Sequence, residues 1–71
     1  MKSSCVITFE GLNVNRFLNG LCKQGVTLLG IERQGKLCKI EVLATVSHKV
    51  VAQLEEKCYN ILNVRYKGVA N

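Results

Sequence analysis

The sequence predicts an α+β domain, four strands in one antiparallel sheet with two helices on a single face. Three observations predict it. Two stretches carry apolar residues at helical spacing, and four shorter ones alternate or run apolar as strands do. The order along the chain is strand, helix, strand, strand, helix, strand, and a moderately strong turn signal, Gln34-Gly35, separates the two middle strands.

The first strand is Cys5 to Glu10, with Cys5, Ile7 and Phe9 inward and Val6, Thr8 and Glu10 outward. Gly11 breaks it, and the clearest helix of the chain follows between Gly11 and Gly25. Its stripe is Val14, Phe17, Leu18, Leu21 and Cys22, at i, i+3, i+4, i+7 and i+8. Asn13 is placed to cap the first turn with its side-chain oxygen, and Gly25 suits the left-handed residue just past the end. Val26 to Arg33 is the second strand, with a bulge expected at Gly30. Leu37 to Val46 alternates best: Cys38, Ile40, Val42, Ala44 and Val46 form one face, Lys39, Glu41, Leu43 and Thr45 the other. Ser47 reads as the cap of a second helix from Lys49 to about Cys58, with the stripe Val50, Val51, Leu54 and Cys58. Asn60 is expected to close that helix. Ile61 to Tyr66 is the last strand, with Leu62, Val64 and Tyr66 alternating. Two right-handed βαβ-type crossovers around a hairpin give the ferredoxin-like βαββαβ arrangement, strand order 4-1-3-2. The ordered core is expected over 5–67, with 1–3 and 68–71 frayed.

The chain has 71 residues, 48% of them hydrophobic, and a mean hydropathy of +0.15. That is rich enough for a core and argues for one small domain. No stretch approaches the ~18 apolar residues of a membrane span, and Cys5-Val6-Ile7 is too short for an export-signal core. As given, the chain is expected to be soluble and cytoplasmic. Ten Lys and Arg against five Asp and Glu give +5 and a pI near 9.3. A charge of that size is ordinary for solubility, and it also admits an acidic, nucleic-acid or membrane partner. The four cysteines, Cys5, Cys22, Cys38 and Cys58, stand 17, 16 and 20 positions apart, without the close pairs of a structural zinc site. The topology gathers Cys5 with Cys22 and Cys38 with Cys58 at opposite ends of the layer. Buried free thiols are the expected state, ahead of disulfides or a metal.

From Phe9 to Gly68 the chain resembles the N-terminal region of the sporulation protein YqfD family of endospore-forming bacteria. The residues that carry the resemblance are Glu10-Gly11 at a strand end, Arg16-Phe17-Leu18 in a helix and the turn Gln24-Gly25-Val26. Ile31-Glu32-Arg33, the Gly35 turn and the closing Arg65-Tyr66-Lys67-Gly68 complete them. The match is one of hydrophobic positions, glycines and basic residues. Family members continue into membrane-spanning segments that these 71 residues lack, and the cysteines are a departure from the family. The resemblance implies a role in spore formation through protein contact on the cytoplasmic side of a membrane, the membrane being reached only through the absent segment. It implies no catalytic residue.

The residues themselves point the same way. His48 has no acid or nucleophile in sequence relation to it, and Glu55 and Glu56 diverge by ~100° around their helix. No phosphate-binding glycine loop is present. No catalytic residue, cofactor or metal is expected. The open face of the two central strands carries no aromatic residue, so RNA recognition by base stacking is disfavoured. What remains is a protein interface, built on Val6, Thr8, Leu43 and Ile61 or on the exposed sheet edges, for a protein partner or a second copy. The alternatives are an anion or nucleic-acid site on a basic stripe of Arg33, Lys36, Lys39, Arg65 and Lys67, and a small-molecule sensor of the ACT kind, by analogy of topology alone.

Overall fold

A computed structural model describes residues 3–67; positions 1, 2 and 68–71, where fraying is expected, lie outside the described residues. The elements are β1 (Ser4–Glu10), α1 (Val14–Lys23), β2 (Leu28–Gln34), β3 (Leu37–Leu43), α2 (Ala44–Glu56) and β4 (Asn60–Lys67). The strands form one antiparallel sheet in the order β2-β3-β1-β4, the expected order viewed from the other edge. The fold is therefore α+β and ferredoxin-like. Cys5, Ile7 and Phe9 of β1 and Cys38, Ile40 and Val42 of β3 pack against Val14, Phe17, Leu18 and Leu21 of α1 and Val50 and Leu54 of α2, in one apolar cluster.

Both helices end in the same way. After α1, Gly25 has φ +87°, Gly25 N–H donates to Cys22 O at 3.0 Å, and Val26 N–H donates to Leu21 O at 3.0 Å. The buried pair Val26 and Leu21 completes this left-handed cap. After α2, Cys58 takes the glycine's place with φ 64°; Cys58 N–H donates to Glu55 O at 3.1 Å and Tyr59 N–H to Leu54 O at 2.9 Å. A Cβ in that conformation costs about 1–2 kcal/mol. Glycine's larger loss of backbone freedom offsets part of the gain. Cys58→Gly is expected to raise stability by ~0.5–1 kcal/mol in urea unfolding.

Several expectations are corrected. Asn13 stands before α1, but its own backbone is left-handed (φ 58°, ψ 40°) and its side chain caps nothing. Side-chain capping needs an extended residue there; instead the Asn13 carbonyl accepts from Arg16 N at 3.1 Å and Phe17 N at 3.3 Å. The second helix begins at Ala44, not Lys49, and β3 stops at Leu43. The last sheet pair is Ser4 with Leu43, and Ala44 N–H finds its acceptor in Ser3 O at 3.0 Å. The chain coils from the residue after that pair, Ala44. Ser47 is thus inside α2 and buried; its Oγ donates to Ala44 O at 2.8 Å and lies 3.0 Å from Tyr66 Oη. Asn60 opens β4 and does not close α2. Cys22 and Cys58 are exposed, so each helical stripe ends one residue early, at Leu21 and Leu54.

Gly30 falls at a register shift of β2, as expected. A second shift was not foreseen: Phe9 pairs with Ile61 and Thr8 with Asn63, leaving Leu62 as the extra residue of β4.

Candidate functional site

Pairing across the sheet assigns each paired strand residue to a face; Leu29 and Leu62, at the register shifts, have no partner. Residues paired with buried Cys5, Ile7, Phe9, Cys38, Ile40 or Val42 lie under the helices; the others form the open face. The open face thus has Val6 flanked by Glu41 and Arg65, and Thr8 flanked by Lys39 and Asn63. Ser4 lies between Leu43 and Lys67. Together they border a shallow depression of about 430 Å³ lined in part by Val6, Thr8, Lys39, Glu41 and Arg65.

This face is polar and internally paired. Lys39 Nζ lies 3.8 Å from Glu32 Oε1, and Lys67 Nζ lies 3.7 Å from Glu41 Oε2. Ser4 Oγ donates to Glu41 Oε2 at 2.7 Å, and Asn60 Nδ2 to Glu10 Oε2 at 3.0 Å. Val6, Thr8 and Leu43 do share the face, half-buried. Ile61 does not: the extra residue Leu62 turns it under the helices opposite Phe9, where it packs on the core.

The basic stripe also divides. Lys39, Arg65 and Lys67 are on the open face and Lys36 is in the β2–β3 turn. Arg33 pairs with Cys38 on the helix side and donates from Nη1 to Asn15 Oδ1 at the start of α1. Alternation within β2 is shifted by the bulge at Gly30, which is why the sequence alone groups Arg33 wrongly.

Large exposed apolar residues are concentrated elsewhere. Leu29 and Ile31 belong to β2, and Leu62, Val64 and Tyr66 to β4; Leu12, in the β1–α1 loop, is the sixth. β2 and β4 are the two edges of the sheet. Ile31, Val64 and Tyr66 pair with Ile40, Ile7 and Cys5, so they point to the helix side, where the two helices cover them only in part. The predicted strand order already contained this signal, since two helices lie over four strands and leave the outer ones short of cover.

The thiols are all free. Burial pushes the Cys5 and Cys38 thiols up from the ordinary thiol value, opposed at Cys5 by hydrogen bonds from Ser47 and Tyr66 and at Cys38 by the Arg33 charge. They are protonated, inert core residues at neutral pH. Tyr59 is likewise raised, first by burial and then by Cys38. Among the described residues no three His, Cys, Asp or Glu side chains gather to hold a metal ion. His48, Glu55 and Glu56 are exposed on α2, with His48 in its second turn. No helix among the described residues is long and apolar enough to cross a membrane.

No protein-family model matches this sequence, and no curated protein matches it.

Proposed function

We propose that the chain is a non-catalytic interaction and assembly module that pairs with a second copy of itself through the β2 edge. The observation that supports this reading is the placement of exposed apolar side chains. Five of the six among the described residues lie on the two edge strands, where free N–H and C=O groups can add a further strand. The β2 edge is favoured over β4 by charge. Glu32 and Arg33 cancel on β2, whereas Arg65 and Lys67 of β4 would approach their own copies. A two-fold antiparallel pair centred on Ile31 would set Ile31 against Ile31 of the second copy. Glu32 would then stand opposite a glycine, Gly30, with no side chain in its way. The resemblance to the YqfD N-terminal region sets this assembly, as part of the same proposal, beside a membrane during spore formation.

Sedimentation equilibrium tests it. The average mass is expected to rise with concentration, Ile31→Lys to weaken association about tenfold or more, and Val64→Lys to leave it unchanged. A mass that stays monomeric at every concentration reached, or an Ile31→Lys variant that associates like the parent, would overturn the reading.

A further inference from the structure

A second surface is distinguished by its charge. A trough of about 900 Å³ runs between α1 and the end of α2, on the side of the molecule away from the sheet's open face. Arg16, Lys23 and Lys57 line it and no carboxylate does. None of the three makes a salt bridge among the described residues. Arg16, Gly20 and Lys23 follow one another at i, i+4 and i+7, so they share a helix face. A side chain at Gly20 would meet nothing within 4 Å, and its absence widens the middle of the trough. Gln24 and Gln53 bond to each other across it, with both amide contacts at 2.8 Å, and so tie α1 to α2 at the trough's wall.

We propose that this trough binds an acidic segment of a protein partner, glutamate- or aspartate-rich with an apolar residue among the acids. Arg16 and Lys23 are seven residues apart, ~10 Å along the helix axis, a spacing that an extended acidic segment matches better than one point-like anion. Leu12, 74% exposed, lines the same trough and supplies an apolar contact that phosphate chains cannot use. A single-stranded nucleic acid would add to phosphate attraction by stacking its bases on a free aromatic face. The one ring at the surface of the trough, Tyr59, has no such face to offer. It covers Gly11, stands edge-on to Phe9 and tilted to Phe17, and its hydroxyl is bonded to the Leu12 and Asn13 carbonyls.

The test is anisotropy of a fluorescein-labelled peptide of glutamates around a central leucine, titrated with the full chain. A lysine-substituted peptide and a labelled oligothymidine serve as comparisons. The acidic peptide is expected to bind, and to bind less as salt rises. The double variant Arg16→Glu with Lys23→Glu is expected to lose about tenfold or more in affinity. Lys39→Glu with Arg65→Glu, on the open face, makes the same change in net charge and is expected to lose no more than about twofold. No binding at low salt, an equal loss in both double variants, or oligothymidine binding as tightly as the peptide would overturn the proposal. No β2 residue lines the trough, so self-association measured on the same variants reports separately on the edge-pairing reading.

Discussion

Phe9→Ala is expected to leave little folded protein. Phe9 is fully buried in the central strand β1, and its ring meets Phe17 of α1 at 5.7 Å and Tyr59, after α2, at 5.5 Å, both edge to face. Phe17 and Tyr59 are themselves 5.2 Å apart, closing a triangle that joins the sheet to α1 and to the segment after α2. Truncating a buried phenylalanine to alanine costs about 3–5 kcal/mol. A chain of 71 residues has a total stability of about 4–10 kcal/mol. Thermal unfolding followed by circular dichroism should show a fall of ~12 °C or more, or no cooperative transition at all. Phe9→Leu keeps most of the buried area and should retain a clear transition. A Phe9→Ala protein melting within a few degrees of the parent would mean that the aromatic triangle does not hold the layers together.

Gly11→Ala is expected to cost about 1–3 kcal/mol, as overpacking does in a core. Gly11 has no unusual backbone requirement; the demand is for space. A Cβ there would lie 2.7 Å from Tyr59 Cε1 and closer still to Cδ1. The ring cannot move aside freely, because its hydroxyl donates to Leu12 O at 2.8 Å and Asn13 O at 3.1 Å and its face is part of the triangle. Those two bonds hold the loop in which Asn13 adopts its left-handed conformation. A double-mutant cycle isolates the contact: in a Tyr59→Ala background, Gly11→Ala should cost less than ~0.5 kcal/mol. An equal cost in both backgrounds would place the penalty elsewhere.

Both effects concern residues whose importance the sequence shows unevenly. Phe9 is legible as an inward residue of an alternating strand. Gly11 reads only as a strand breaker, because its partner Tyr59 is 48 positions away and no local pattern couples them. The same division runs through the candidate surfaces. Val6, Thr8, Leu43, Lys39, Arg65 and Lys67 are assigned to the open face by alternation alone, and they are found there. Ile61 and Arg33 are not, since an extra residue separates each from the rest of its strand, after Ile61 in β4 and before Arg33 in β2, and one inserted residue reverses the face from one side of it to the other. The cationic trough escapes a reading along the chain, because it needs α1 and the end of α2 side by side.

What the sequence determined by itself is the number, type and order of the elements, the strand order, and the inward set of β1, of β3 up to Val42 and of α1 up to Leu21. Those follow from period and turn chemistry, which act within a few residues. Only the tertiary structure decided where β3 gives way to α2, which cysteines are covered, which strand bulges, and which apolar residues stay exposed at the edges. Each of these depends on whether a neighbour is present. β3 makes its last sheet pair at Leu43 and Ala44 opens α2, Cys58 is exposed because α2 has already ended at Glu56, and Ile31 is half exposed because the two helices cover the outer strand only in part.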